Sequence, residues 1–169
     1  MMNAQIAEDI INEVLIGDAR KDALGFVSFL QTNEMRFDRQ GGYWEGKYYW
    51  AVWYKSEIVC FILVNGGEDK TEPEGWVVWF EDGGSDCYAD FPADEITKEI
   101  ARANVDIFKG DCGGGQCEGI RKIIFGKVFE SLYRTIMRFD NPDTKTVKCM
   151  EKLAEVRKDD ISESKKRAD

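Results

Sequence analysis

The sequence predicts an α+β fold: a largely antiparallel sheet, covered on one face by helices from the two ends of the chain. Three observations predict it. Strand-like segments come in groups instead of alternating with helices. Both ends carry apolar residues at helical spacing. Between them, "EMRFDRQGGYWEGKYYWAVWYKSEIVCFILVNGG" is dense in Trp, Tyr, Phe, Val and Ile, as pleated, half-buried strands require.

From Ala4 to Leu15 the pattern is amphipathic, with Ile6, Ile10 and Val14 on one stripe and Ile11 and Leu15 beside it. Gly17 ends that helix, and Asp18 is placed to cap a second. The second helix is expected to run to about Gln31 and to turn Ala23, Phe26, Val27 and Leu30 inward. Strands follow at Met35–Arg39, Lys47–Tyr54 and Ile58–Val64, the last two joined as a hairpin by Lys55-Ser56-Glu57. The continuously apolar Ile58–Val64 suits a central strand buried on both faces.

After the polar loop "NGGEDKTEPEG" comes a strand at Trp76–Glu81, and "DGGSD" ends it. Cys87–Phe91 reads as a short edge piece, and Pro92–Asn104 as a helix with Ile96 and Ile100 four residues apart. Lys122–Phe125 and Leu132–Phe139 read as extended. In "DNPD", Asn141 is the expected N-cap, Pro142 the first helical residue and Asp143 an acid at the positive helix end. The last helix carries Val147, Met150, Leu153, Ala154 and Val156 to about Lys158. The chain thus divides into one domain over residues 1–158 and a charged, frayed tail over 159–169.

Composition narrows the chemistry. The 169 residues suffice to bury a core without staples. The net charge of −9 repels phosphate backbones and argues against nucleic-acid binding. No apolar run has transmembrane length, and "MMNAQIAEDIINEVL" has acids where a signal peptide needs bases, so the expected location is cytoplasmic, with no membrane partner. There is no histidine, which removes the commonest general base and the usual catalytic triads, leaving Asp, Glu, Lys, Tyr and Cys for any chemistry. Five cysteines in such a chain read as reduced thiols.

Four groups are candidates for function. In "GDCGGGQCEG", Cys112 and Cys117 are separated by four intervening residues, a gap that lets both thiolates reach one metal ion. Cys87 or Cys149 would have to help complete such a site; the alternative is a plain glycine loop. The glycines there lack the Lys-Ser/Thr ending of a phosphate loop. The second group is aromatic. Trp50, Trp53, Tyr54, Trp76 and Trp79 cluster on strands, with Tyr48, Trp50 and Tyr54 in one phase and Tyr49 and Trp53 in the other. One phase is core; the other is either packed as well or lines a groove for a flat or cationic small molecule. The third group is the carboxylates of the turns, Glu81, Asp82 and Asp86 among them, which read as a solvated rim. The fourth is Arg121, Lys122, Lys127, Arg134 and Arg138, which read as salt-bridge partners, or as a clamp for an anionic ligand where two arginines share a strand face.

The pieces Ile124-Phe125-Gly126-Lys127, the following Phe129, and Arg138-Phe139-Asp140-Asn141-Pro142-Asp143 resemble those of an uncharacterised family of small bacterial, Firmicutes-type proteins. The resemblance extends to the Cys-Gly-rich stretch and the "VWYKSEIVCFILV" hairpin, over roughly the last two-thirds of the chain. It implies a bacterial source and brings no catalytic residue. A remoter resemblance, in fold alone, is to the small-molecule effector-binding domains of bacterial regulators. Residues and resemblance together point first to a non-enzymatic small-molecule binding or sensing module. The alternatives are an acidic protein-interaction adaptor, an enzyme using the residue types above, and a Cys-based metal-binding protein. No cofactor is specified, and the oligomeric state is left open.

Overall fold

A computed structural model describes residues 2–41, 48–65, 75–110 and 118–168. Helices α1 (Met2–Val14) and α2 (Gly17–Thr32) are followed by strands β1 (Arg36–Arg39), β2 (Tyr48–Tyr54), β3 (Glu57–Asn65) and β4 (Gly75–Phe80). Then come helix α3 (Glu95–Ala103), strands β5 (Val105–Ile107), β6 (Ile120–Ile124) and β7 (Lys127–Asp140), and helix α4 (Thr144–Ala168). All strand pairings are antiparallel, in the order β1-β2-β3-β4-β7-β5, with β6 forming a hairpin with β7. The fold is α+β, and α1, α2 and α4 pack on one face of the sheet.

The core lies between those helices and the even-numbered face of β2 and β3. Trp50, Val52, Ile62 and Val64 join Trp76, Val78, Phe80, Met137 and Phe139 beneath Phe26, Leu30, Met150 and Leu153. The β2–β3 turn is two residues, with Lys55 at φ 54°, and a bulge in β3 near Val59 shifts its register. The β6–β7 turn is also two residues, Phe125 and Gly126, both at positive φ, which is the backbone a tight hairpin of this twist demands.

Several sequence expectations are corrected. The buried stripe of α1 is Ala4, Ala7 and Ile11, continued by Leu15 just beyond the helix, while Ile6 is exposed, because the two alanines allow close approach to the sheet and to α2. Asp18 does not cap α2; the N-cap position is Ile16, with no side-chain bond, and Asp18 lies in the first turn. Asn141 does not cap α4. Its backbone is left-handed at φ 45°, its N–H donates to the Trp76 carbonyl, and its Oδ1 accepts from the Trp76 N–H at 3.0 Å. Asp143 takes the capping role, accepting from the Thr146 N–H at 2.8 Å. Cys87–Phe91 is a turn instead of an edge strand. The helix expected over Pro92–Asn104 runs from Glu95 to Ala103; it buries Thr97 and Ala101, and Ile96 is exposed.

At the C-terminus, α4 continues beyond Lys158 to Ala168 and buries Ile161. Arg157 occupies a buried position on the stripe that joins Ala154 to Ile161, so the apolar period is interrupted in sequence where the helix is not.

Candidate ligand-binding site

Strand alternation separates the five aromatic candidates into two groups. Trp50 and Trp76 are fully buried on the helix-covered face, and their indole N–H groups have no hydrogen-bond partner among the described residues. Tyr54 shares that face at its edge, accepting from Ser162 Oγ at 3.4 Å beneath the Lys158 ammonium. Trp53 and Trp79 project the other way. The five do not form one site.

The opposite face is organised in cross-strand rows. Successive pairings set Asp38, Ala51, Phe61, Trp79 and Arg138 side by side across β1, β2, β3, β4 and β7. Tyr49, Leu63, Val77 and Asp140 form the adjoining row. Tyr49 stacks on Phe61 with centroids 5.6 Å apart and meets Trp79 edge-on at 6.1 Å. The Arg138 guanidinium lies 5.2 Å from the Trp79 ring centre and is fixed by Asp140 at 3.0 Å. Arg36 sits 6.0 Å over Trp53. Phe61, Trp79 and Tyr49 are half-buried, so this face presents a continuous aromatic strip flanked by arginines.

Glu81 stands two residues after Trp79, and its N–H still donates to the Val59 carbonyl, which keeps it in line with that face. It opens onto a cavity of about 410 Å³ lined by Glu81, Asp82, Gly83, Gly84, Ile120, Lys122 and Arg134. The walls come from the turn after β4 and from β6 and β7. The turn is held by two clamps. Lys122 Nζ reaches Asp82 Oδ2 at 2.6 Å and the Ser85 carbonyl at 2.7 Å. Arg157, buried in α4, donates from Nε to the Ile58 carbonyl at 3.2 Å and from Nη1 to Asp160 Oδ2 at 2.6 Å. Asp160 in turn accepts from Ser85 Oγ at 2.9 Å. Asp82 Oδ1 closes the turn by accepting from the Gly84 N–H at 2.9 Å. Gly83, at φ 62°, lies so close to the Arg157 guanidinium that a Cβ there would collide with it.

Burial alone would lower the pKa of the Lys122 ammonium, but the Asp82 bond and the charges of Asp82 and Asp86 outweigh it and leave the pKa raised. The lysine is therefore a firmly charged part of the scaffold. Glu81 differs. Its carboxyl is raised above the ordinary glutamate value chiefly by burial, with Arg157 opposing, Asp82 adding and Arg134 opposing. No hydrogen bond or ion pair engages the Glu81 carboxylate or the Arg134 guanidinium among the described residues, although the two line one cavity. The neighbouring Tyr49 hydroxyl is raised to about 12 by burial and then by the charge of Glu81.

Asp82 is thus buried structure and not part of a solvated rim, whereas Asp86 is exposed as expected. The basic group is largely paired: Lys122 with Asp82, Arg121 with Glu130 and Arg138 with Asp140. Cys112 and Cys117, the expected metal pair, lie outside the described residues. Cys87 and Cys149 are free thiols, and among the described residues no group of three or more Cys, Asp or Glu side chains is placed to hold a metal ion. Compared with protein-family models, with curated proteins and with solved structures, the chain matches none.

Proposed function

We propose that the protein is a non-enzymatic small-molecule binding module whose ligand occupies the cavity between the turn after β4 and the β6–β7 hairpin, beside the aromatic strip. One observation carries this reading. Around that cavity Asp82, Lys122, Arg157 and Asp160 are all engaged in bonds that hold the walls, while Glu81 and Arg134 line the same space with no partner among the described residues. A concave site of this volume, with a rigid wall and a few convergent polar groups left over, is how small-molecule sites are built. Phe61, Trp79 and Tyr49 extend the surface on which an apolar part of the ligand would rest.

A thermal-shift screen of the full chain against amines, carboxylates, amino acids, nucleotides and aromatic compounds tests the reading. At least one compound is expected to raise Tm in a concentration-dependent way, and Glu81→Gln is expected to remove the shift. No shift with any class, or a shift untouched by both Glu81→Gln and Arg134→Gln, overturns it.

A further inference from the structure

We infer that the cavity recognises a zwitterion, specifically the adjacent ammonium and carboxylate of a free α-amino acid, with Glu81 receiving the ammonium and Arg134 the carboxylate. This rests on the small-molecule reading above and names the ligand class of that site.

Glu81 and Arg134 line one cavity of about 410 Å³ and carry opposite signs, yet they form no ion pair. They are near enough for the guanidinium to oppose the rise in the Glu81 pKa. Two such groups, held apart at one site, leave a gap that a molecule carrying both complementary charges fills. Its carboxylate is matched to the planar fork of an arginine, and its ammonium to a carboxylate oxygen.

Simpler ligands fit worse. A plain anion would meet Arg134 but would also face Glu81. A plain cation would meet Glu81 with Arg134 and the firmly protonated Lys122 beside it. Lys122 is not available as an anion clamp, because its Nζ is already committed to Asp82, the Ser85 carbonyl and, at 3.5 Å, Asp86. A zwitterion adds no net charge to the cavity and gives each leftover group a partner, which offsets the cost of keeping the Glu81 carboxylate half-desolvated beside the exposed Arg134. The remaining walls agree with a compact headgroup. Gly83 and Gly84 present only backbone, and Ile120 is the apolar lining residue among those described. The ligand's own side chain then has one apolar direction to take, toward Trp79 and the aromatic strip.

Isothermal titration of the full chain tests this with glycine, L-alanine, L-leucine and L-phenylalanine, each beside its N-acetyl and its C-terminal amide derivative. At least one free amino acid is expected to bind, with both blocked forms weaker by about tenfold or more, the scale of one lost charge-assisted bond. Glu81→Gln is expected to weaken the free amino acid and to erase discrimination against the N-acetyl form. Arg134→Gln is expected to do the same for the amide. Among the described residues neither side chain bonds to the scaffold, so both variants are expected to fold, with far-UV circular dichroism as the check. Equal binding of free and blocked forms, or full affinity in both variants, overturns the inference. Binding of a simple amine or carboxylate that Glu81→Gln abolishes would overturn the zwitterion class and leave the small-molecule reading standing. Absence of binding by every compound, here and in the thermal-shift screen, overturns both.

Discussion

The Nζ of Lys122 on β6 lies 2.6 Å from Oδ2 of Asp82 in the turn after β4, and both side chains are almost wholly withdrawn from solvent. The pair ties the hairpin to the turn and so sets the width of the cavity. Cutting one partner leaves the other as an uncompensated buried charge. Lys122→Met is expected to cost roughly 3–5 kcal/mol, and Lys122→Met with Asp82→Asn less than the sum of the single losses. Urea denaturation of the four species measures both values. Additive losses would show that the pair is not coupled.

Gly83 and Arg157 make the same point through sterics. Gly83 has φ 62°, and a Cβ there would meet a guanidinium pinned by Ile58 and Asp160. Gly126 also has positive φ, at 79°, but faces open space. Gly126→Ala is expected to cost about 1–2 kcal/mol, the penalty of the left-handed backbone alone. Gly83→Ala is expected to cost more, because the arginine must move as well. Equal losses would contradict the close approach.

The two sheet faces predict different outcomes for two tryptophans three residues apart. Trp76 is in the core, packed 6.3 Å from Phe26 between ring centres. Trp76→Ala is expected to cost about 3–5 kcal/mol. Trp79 is half-buried on the aromatic strip, so Trp79→Ala is expected to cost clearly less in stability and to weaken ligand binding. Chemical denaturation and titration calorimetry on both variants separate the effects. A larger stability loss at Trp79 would reverse the assignment of faces.

Glu81 gives the site a pH dependence. Its pKa is raised above 4.5 by burial, so the carboxylate that an ammonium needs disappears as pH falls through that raised value. Affinity is expected to drop on acidification at a higher pH than an ordinary glutamate would give, and to stay flat across that window in Glu81→Gln. Stability runs the other way. A raised folded-state pKa favours the fold while the group is protonated. That contribution is present below the unfolded value and is lost as pH rises through the folded one. Glu81→Gln is therefore expected to be at least as stable as the parent at pH 7 and to lose that relative advantage toward pH 4. Parallel stability curves for parent and variant would contradict the burial of this carboxyl.

The fold was legible where local pattern and tertiary packing agree. The hairpin expected through Lys55-Ser56-Glu57, whose turn is the two residues Lys55 and Ser56, the apolar Ile58–Val64 run and the inward residues of α2 are examples. It was illegible where a residue serves a distant partner. Asn141 looks like a helix cap but bonds to Trp76, 65 positions away. Arg157 looks like solvated surface, yet it is buried against Ile58 and Asp160 and hides the continuation of α4. Strand β5 is only three residues long and exists because β7 offers it an edge. In β7 the apolar phase switches between Ile136 and Met137, so a simple period of two misleads. The site follows the same logic. The even and odd phases of β2 were readable, but not which phase the helices would cover. Glu81 stood in the acidic group and Lys122 and Arg134 in the basic one until the sheet brought them together. The one local signal was the pair of glycines directly after a strand in "EDGGSD", which marks a turn shaped around something close by.

The most direct test is an amide NMR titration of the ¹⁵N-labelled full chain with L-alanine and L-phenylalanine, and with whichever compound raises Tm most. A ligand seated between β4, β6 and β7 predicts shift changes concentrated at Trp79 through Gly84, Ile120 through Lys122, and Arg134. One competing concavity is the groove of about 660 Å³ between α1, the end of α2 and strand β1, lined by Ala4, Gln5, Gln31, Glu34, Met35 and Phe37 among others. Shift changes centred there, or spread evenly over the chain, would contradict the assignment of the site.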